Sequence, residues 1–200
     1  MVEKEAVMRA FLCVAVRAEI RSLLKGISDE LRMSTASRAS WVVAENYHVT
    51  VQFLGEIDPM LTVPLQRGLE ASVSGQKAFD VMLDRISGFP SPERPRVLWA
   101  GGAASAAFGK LVCAVSQSTQ LLGFPRERQP DVFHITLARI RGAADARLVK
   151  AIGELSHTTD PTPINVTGVT LMESRLTKHG AKYNRLFEVP LRGERGTGAV

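Results

Sequence analysis

Apolar and polar residues alternate along two short stretches of the chain, residues 47–54 and 133–140. Both stretches are rich in β-branched and aromatic residues, a composition typical of strands. Each contains a histidine, an apolar residue, a threonine and another apolar residue in succession. Side chains two positions apart in a strand point to the same face, so each histidine shares a face with its threonine. The pattern predicts two strands that each present a polar pair opposite a core-facing side, and the pairs are His48 with Thr50 and His134 with Thr136.

A third His-x-Thr tripeptide, at residues 157–159, lies in a different local sequence. It is followed by Asp160 and Pro161, a combination typical of a turn rather than of a strand. The bare tripeptide is therefore weak evidence, whereas two copies in matching apolar strands, 86 positions apart, form a more specific pattern. We interpret the remaining histidines, His157 and His179, as surface residues.

The spacing of apolar residues predicts a mixed chain of strands and helices. Besides the two motif strands, strands are predicted at residues 9–16, 79–89, 96–101, 164–172 and 185–191. Helices are predicted at residues 18–33, 58–73, 103–122 and 144–155. Asp58 can cap the second helix, Pro59 suits its first turn, and Gly123 closes the third. The segments between residues 172 and 185 and between residues 34 and 40 are interpreted as loops.

The order of these elements indicates an internal duplication. A strand, a helix, a motif strand and another helix occur once in residues 9–73 and again in residues 96–155. If two such halves pair about a twofold axis, His48 and His134 lie on opposite sides of one central groove.

Length and composition are typical of a soluble globular protein, and the net charge bears on the kind of partner. The chain of 200 residues is long enough to bury a substantial core, and its 45% hydrophobic and 22% charged residues are ordinary for a soluble globular protein. The net charge of +5 favours an anionic partner such as nucleic acid or a phosphorylated small molecule. Many soluble proteins are equally basic, however, so the charge alone does not decide.

The cysteines and the N-terminal residues bear on the compartment. Cys13 and Cys113 lie in apolar runs, which indicates buried free thiols in a reducing compartment, and no Cys-x-x-Cys metal signature is present. The apolar run at residues 11–16 is too short for a signal core or a membrane span, and acidic residues precede it. We therefore expect a cytoplasmic protein without a membrane partner.

Two histidines can act as a general base and a general acid in one reaction. A hydrolysis, for example, needs a base to take a proton from water and an acid to protonate the departing oxygen. Histidine can do both, because its ordinary pKa of about 6.5 allows either form near neutral pH. Threonine hydroxyls can donate hydrogen bonds to substrate oxygens as negative charge develops on them. The sequence has no convincing cluster of metal ligands, so we expect neither a metal nor a cofactor.

The chain resembles the two-histidine phosphoesterase superfamily. Within it, the resemblance is to the RNA 2′,3′-cyclic phosphodiesterases, historically described as 2′-5′ RNA ligases. The paired His-apolar-Thr-apolar motifs carry the resemblance, which extends over residues 9–191. Further matching motifs are Arg9-Ala10-Phe11, Trp41-Val42, Glu45-Asn46, Phe53-Leu54-Gly55-Glu56, Arg96-Val97-Leu98-Trp99-Ala100-Gly101, Ser174-Arg175-Leu176, Gly180 and Tyr183.

The resemblance implies an α+β fold of two pseudo-symmetric lobes, each an antiparallel sheet with helices on its outer side, facing across a central cleft. Residues 1–191 are expected to form this single bilobal domain, and residues 192–200 a disordered tail. By analogy with the family, His48 is the proton donor and His134 the proton acceptor, while Thr50 and Thr136 hold the phosphate. The implied enzyme is a monomer that hydrolyses RNA 2′,3′-cyclic phosphodiester ends to 2′-phosphomonoesters.

Three further residues are candidates for binding the substrate. Arg139 stands where the family's second motif has a phosphate-binding arginine. Five positions from His134, however, it points to the other face of a regular strand, so a bulge or the strand end must redirect it. Tyr183 is a candidate to line the groove, with an ordinary place at a strand end as the alternative. Phe11 is a candidate to stack on a base, with a place in the core as the alternative.

Two other functions stay open on the sequence. One is a 2′-5′ RNA ligase, which uses the same site in the reverse direction, and the other is a non-catalytic nucleotide- or RNA-binding module on this fold. The presence of both histidines and both threonines argues against the binding module. The hydrolase and the ligase use the same residues, and the abundance of water favours hydrolysis.

Overall fold

The computed structural model describes residues 7–128, 130–178 and 180–192, and in this part of the chain ten strands and four helices follow one another. The first half contains β1 (Met8–Ala15), α1 (Ala18–Met33), β2 (Ala39–Trp41), β3 (His48–Ile57), α2 (Thr62–Val73), β4 (Phe79–Leu83) and β5 (Arg85–Phe89). The second half contains β6 (Val97–Ala103), α3 (Ala106–Gln120), β7 (Val132–Ile140), α4 (Ala146–Thr158), β8 (Thr162–Val166), β9 (Gly168–Thr177) and β10 (Gly180–Pro190).

Eight strands form one antiparallel sheet, with the two motif strands at its centre. Seven of them follow the order β10-β9-β1-β3-β7-β6-β5, and β2 pairs with β7 beside this path. β4 and β8 form a separate antiparallel pair. The ladder between β3 and β7 consists of one residue pair, Val49 with Ile135. The predicted α+β class with antiparallel sheets is confirmed, and the two lobes are halves of one sheet that join at this pair.

The internal duplication is visible in the register of the two halves. In the first half Cys13 of β1 lies opposite Thr50 of β3, and in the second Trp99 of β6 lies opposite Thr136 of β7. Cys13 and Trp99 are 86 positions apart, the same separation as the two motif histidines. Each half therefore repeats the same strand–helix–strand–helix unit, and a pseudo-twofold axis passes through the pair that joins β3 to β7.

All four helices cover one face of this sheet. α1 contacts α4 and α2 contacts α3, so each helix pair combines one helix from each half. Their apolar stripes share one buried cluster with alternate residues of the central strands, for example Leu12, Val49, Ile135, Leu24, Leu65, Leu111 and Leu148. Burying an aliphatic side chain of this size contributes about 1.5–3 kcal/mol. The packed helices stabilise this face of the sheet, and the motif histidines and threonines lie on the other face of the sheet.

Two of the predicted strands are wrong in the same way, because each of them is two strands. Residues 79–89 change partners between β4 and β5, and residues 164–172 do so between β8 and β9. In the first run the alternation of buried residues slips by one position, from Val81 and Leu83 to Ile86. A continuous apolar run does not indicate that its two parts pair with different strands.

The loop predicted between residues 172 and 185 is also wrong. Here β9 and β10 continue as a hairpin, in which Arg175 pairs with Lys182 and Ser174 with Tyr183. The described residues of this stretch are half-buried or exposed, so no apolar alternation marked the strands. The predicted loop at residues 34–40 is correct except for its end, where β2 begins.

The helix ends follow the predicted capping residues. Asp58 accepts a hydrogen bond from the backbone nitrogen of Met60 at 2.8 Å, and a 3₁₀ turn, Pro59–Leu61, leads into α2. Gly123 follows α3 with φ of +87°, a left-handed conformation that glycine adopts without steric cost.

The two cysteines and the C-terminal end differ in part from the predictions. Both cysteines are free thiols; Cys13 is buried, whereas Cys113 is only half-buried. Arg192 still pairs with Lys77, and the rest of the predicted tail, residues 193–200, lies outside the described residues. In the described ranges no helix is long and apolar enough to cross a membrane.

Candidate active site

The two histidine motifs lie against each other at the centre of the sheet. The pair that joins β3 to β7 falls between the histidine and the threonine of each motif. In an antiparallel register each histidine therefore lies opposite the threonine of the other motif, on the face away from the helices. All four polar side chains line one pocket. Its other lining residues are Asn46, Arg139 and Tyr183, with Val42, Phe53, Phe89 and Val97 as apolar walls.

A backbone carbonyl orients the ring of His48. Its Nδ1 lies 2.7 Å from the carbonyl oxygen of Asn46, in the short turn before β3. A carbonyl only accepts hydrogen bonds, so Nδ1 donates and Nε2 is the nitrogen available to a substrate. The ring centroid lies 4.7 Å from that of Phe11 and 5.4 Å from that of Tyr183. Burial lowers the pKa of His48, and the hydrogen bond to Asn46 partly opposes this shift.

His134 has aromatic rather than polar neighbours. The rings of His134 and Phe89 are packed edge to face, with centroids 5.0 Å apart. The ring centroid of Trp99 lies 6.3 Å from that of His134. Among the described residues, none forms a hydrogen bond with its ring. Burial lowers the pKa of His134, and the positive charges of His48 and Arg139 lower it further. The two histidines thus differ in what surrounds them, although their motifs are alike.

A bulge in β7 turns Arg139 toward the pocket. Successive residues of β6 pair with Ala138 and then with Thr136, so Leu137 is an extra residue in β7. The alternation of faces restarts after the bulge, and Arg139 shares the face of Thr136. This is the redirection that a phosphate-binding role required, and Arg139 lines the pocket.

β3 carries the matching bulge, which turns Phe53 toward the same pocket. Successive residues of β1 skip Val51 when they pair with β3. Phe53 therefore holds the position in the first motif that Arg139 holds in the second. Its side chain is 62% exposed, unusual for a phenylalanine in a central strand. Phe53 was not among the predicted site residues, although the spacing of the repeated motif points to it.

The other two predicted substrate-binding residues differ in exposure. Tyr183 of β10 lines the pocket, and burial raises the pKa of its hydroxyl, which stays a neutral hydrogen-bond donor. Phe11 is only 3% exposed, with its ring against His48, Phe53 and Tyr183. It lies on the pocket side of the sheet but beneath the pocket surface, where it supports the ring of His48 and has little area left for stacking on a base.

The remaining histidines lie apart from this pocket or outside the described residues. His157 is exposed in the last turn of α4, as a surface residue should be. His179 lies outside the described residues. In the described part of the chain, no group of three or more histidine, cysteine, aspartate and glutamate side chains is placed to hold a metal ion.

Two His-x-Thr strands paired about a pseudo-twofold axis, on the open face of a helix-covered antiparallel sheet, are the architecture of a two-histidine phosphoesterase. The family model described as LigT like Phosphoesterase matches residues 14–99 and 104–183, which include both motifs and most of the chain. The chain therefore belongs to the LigT-like phosphoesterase family.

The chain is also similar to individual proteins of known sequence or structure. An RNA 2′,3′-cyclic phosphodiesterase of Aeropyrum pernix is 33% identical over 147 residues, which is 72% of this chain and 82% of the relative. The crystal structure of a Thermus thermophilus protein matches with a TM-score of 0.74 and 25% identity, over 94% of this chain and 100% of that one. E. coli LigT, solved in complex with 3′-AMP, shares the fold with a TM-score of 0.71 and 24% identity, over 93% of this chain and 99% of that one.

Proposed function

We propose that this chain hydrolyses the 2′,3′-cyclic phosphodiester at an RNA end to a 2′-phosphomonoester, with His48 as the general acid and His134 as the general base. The observation that carries the proposal is the pairing of the two motifs, in which each histidine faces the other motif's threonine across one pocket. Membership of the family, with a curated relative named for this activity, supports the same reaction.

The surroundings of the two histidines support this division of roles. The positive charges of His48 and Arg139 both lower the pKa of His134, which favours its neutral, proton-accepting form. His48 instead donates to the carbonyl of Asn46, and this hydrogen bond favours its protonated form. Burial is the largest cause of the lowered pKa of each histidine, and the neighbouring groups add effects of opposite direction, upward at His48 and downward at His134.

In the proposed reaction, His134 removes a proton from a water molecule whose oxygen attacks the phosphorus. The bond between phosphorus and the ribose O3′ breaks, and His48 donates its Nε2 proton to that oxygen. Negative charge increases on the phosphoryl oxygens as the reaction proceeds. The hydroxyls of Thr50 and Thr136 and the guanidinium of Arg139 can stabilise that charge. Solvent then returns the proton from His134 to His48.

The ligase alternative uses the same residues with a ribose 5′-hydroxyl in place of water. Because water is far more concentrated than any RNA end, we favour hydrolysis. A non-catalytic binding module would not need two histidines that face one pocket, each opposite the other motif's threonine.

The direct test is incubation with a short RNA that ends in a 2′,3′-cyclic phosphate, with the position of the product phosphate determined. We expect a 2′-phosphate and a loss of turnover of about 10²–10⁴ in either His48→Ala or His134→Ala, the usual effect of removing a general acid or base. His157→Ala, an exposed histidine on α4, is the matched control and should keep full activity. A folded His48→Ala or His134→Ala protein with near-full activity would reject the two-histidine mechanism, and a 2′-5′-linked product would favour the ligase.

We also propose that the protein works as a monomer in the cytoplasm. The two free thiols support a reducing compartment. Burial raises the pKa of Cys13 to about 12, so this thiol is protonated and unreactive at neutral pH. Size-exclusion chromatography with light scattering measures the molar mass in solution and thereby tests whether the protein is a monomer.

A further inference from the structure

We propose that the RNA chain runs from the pocket past two arginines at the end of the β2–β7 pair, Arg38 and Arg141, which bind phosphates upstream of the reacting end. We call these two residues the arginine row. The inference rests on the proposed function and extends it, because it makes the preferred substrate a polynucleotide rather than a single nucleotide.

The pairing of β2 with β7 places the arginine row on the pocket face. Ser40 pairs with Arg139, and directly paired residues present their side chains on the same face. Arg141 follows Arg139 by two residues, and its Nε donates a hydrogen bond to the Ser40 hydroxyl at 3.1 Å. The backbone nitrogen of Arg141 donates to the carbonyl of Arg38 at 2.7 Å, which continues the ladder to Arg38. Both residues of the row are exposed, as is Arg139.

No carboxylate forms an ion pair with the arginine row within the described residues. The ion pairs found there are Lys25–Asp29, Lys150–Glu154, Arg175–Glu173 and Arg185–Glu188. Asp145 is held against the segment that precedes Arg38, but its oxygens accept hydrogen bonds from backbone nitrogens and hydroxyls rather than from an arginine. Two guanidinium groups without acidic partners, continuous with a phosphodiester pocket, fit the backbone of a nucleic acid.

The segment that carries Arg38 is already ordered. One carboxylate oxygen of Asp145 accepts hydrogen bonds from the hydroxyls of Thr35 at 2.7 Å and Ser37 at 3.0 Å. The same oxygen accepts from the backbone nitrogens of Ala36 at 2.8 Å and Ser37 at 3.0 Å. These hydrogen bonds keep the pKa of Asp145 well below its ordinary value, so the carboxylate is charged at neutral pH. The backbone that leads into Arg38 is therefore fixed before RNA binds, which reduces the conformational entropy lost on binding.

The position of the arginine row decides which substrates it can help. Two strand residues rise about 6.6 Å, so Arg141 lies roughly that far beyond Arg139 along β7. A nucleoside 2′,3′-cyclic phosphate has one phosphate, and in the proposed reaction that phosphate lies between the histidines. Only a substrate with further phosphates can reach the row, and the row therefore favours RNA over a mononucleotide.

The experiment compares two substrates in the double variant Arg38→Ala/Arg141→Ala. With a short RNA that ends in a cyclic phosphate, we expect KM to rise about tenfold and kcat to stay unchanged, because two exposed phosphate contacts are lost. With a nucleoside 2′,3′-cyclic phosphate, both constants should equal those of the wild type. The slope of log KM for RNA against log salt should fall by about 0.7 for each arginine.

Two further variants separate the arginine row from net charge. Arg67→Ala/Lys110→Ala removes two exposed positive charges from α2 and α3, on the helix side, and should leave the KM for RNA unchanged. Arg38→Lys/Arg141→Lys keeps the charge and should recover much of the affinity. An unchanged KM in the row variant, or an equal rise in the helix-side control, would overturn the inference.

A binding measurement keeps this inference separate from the proposed function. Fluorescence anisotropy with a labelled single-stranded RNA needs no turnover, and the row variant should bind it about tenfold more weakly than the wild type. If the wild type hydrolyses neither substrate, the proposed function fails while the anisotropy still decides for or against the arginine row.

Discussion

His48 and His134 have the same side chain, and the groups beside each ring separate them. A carbonyl accepts from Nδ1 of His48, whereas His134 lies among aromatic rings and near the charge of Arg139. An acid and a base are needed at the same pH, and different neighbours can give two identical groups different proton affinities. In this pocket a hydrogen bond to Asn46 raises the pKa of His48, and the positive charges of His48 and Arg139 lower that of His134, in addition to the burial that lowers both.

The pH dependence of hydrolysis tests this difference. Burial lowers both histidine pKa values below 6.5, so we expect kcat/KM to reach its maximum on the acid side of pH 6.5. The base must be neutral, so His134 accounts for the acid limb, and the acid must be protonated, so His48 accounts for the alkaline limb. The negative charge of bound substrate raises both pKa values, and the kcat profile should lie at higher pH.

The measurement is a set of rates from about pH 4 to about pH 9, in the wild type and in each histidine variant. The alkaline limb should flatten in His48→Ala and the acid limb in His134→Ala. The two sites interact, so the limbs report roles rather than microscopic pKa values. The opposite result would exchange donor and acceptor, and a flat wild-type profile would place the limiting step outside proton transfer.

At the scale of elements, two bulges and one buried amide shape the site. The bulges at Val51 and Leu137 restart the alternation of faces and add one side chain from each strand to the pocket. Gln52, beside the first bulge, is 1% exposed and joins β3 to the end of α3. Its Nε2 donates to the carbonyl of Pro125 at 3.0 Å, and its Oε1 accepts from the hydroxyl of Thr119 at 2.8 Å.

Gln52→Met tests this connection. Methionine keeps most of the volume but removes the donor to the Pro125 carbonyl and leaves the Thr119 hydroxyl with the Ser116 carbonyl as its acceptor, which should lower the free energy of unfolding by about 1–3 kcal/mol. Urea denaturation measures the loss. The matched control is Gln66→Met on α2, where the amide donates to the exposed Glu70 and little change is expected. Equal midpoints for Gln52→Met and the wild type would show that the buried amide contributes nothing.

At the scale of the whole molecule, the site exists only where the two halves meet. Each half supplies one histidine and one threonine, and neither half has both members of the proposed acid–base pair. The first half adds Phe53 to the pocket and the second adds Arg139, so the repeat is symmetric in backbone and asymmetric in chemistry. At equivalent positions of the repeat, this asymmetry places a phenylalanine on one side of the pocket and an arginine on the other.

The proposed division of labour assigns the acid, the base and the phosphate donors to side chains from both halves. Hydrolysis should therefore be unchanged after treatment with a chelator. The measurement compares initial rates of the untreated protein, the chelated protein and the chelated protein with added Mg²⁺. Strong loss with the chelator and recovery with the ion would indicate metal-assisted chemistry instead.

Part of the fold and of the candidate site could be predicted from local patterns. Periodicity is a property of neighbouring residues, so it identified α1 and the two motif strands within a few residues. It failed at residues 79–89 and 164–172, where a continuous run divides between two partners. Partner choice depends on residues far away in the chain, and a local pattern does not contain that information.

By itself, the sequence determined that two alike His-x-Thr strands exist and that each carries its polar pair on one face, because side chains alternate along any strand. Only the tertiary structure decided that the strands meet through one pair, Val49 with Ile135. It also decided that Leu137 bulges, so that Arg139 reaches the pocket, and that a carbonyl orients His48. The physical reason is that register, bulges and backbone hydrogen bonds form between distant segments, whereas strand propensity is local.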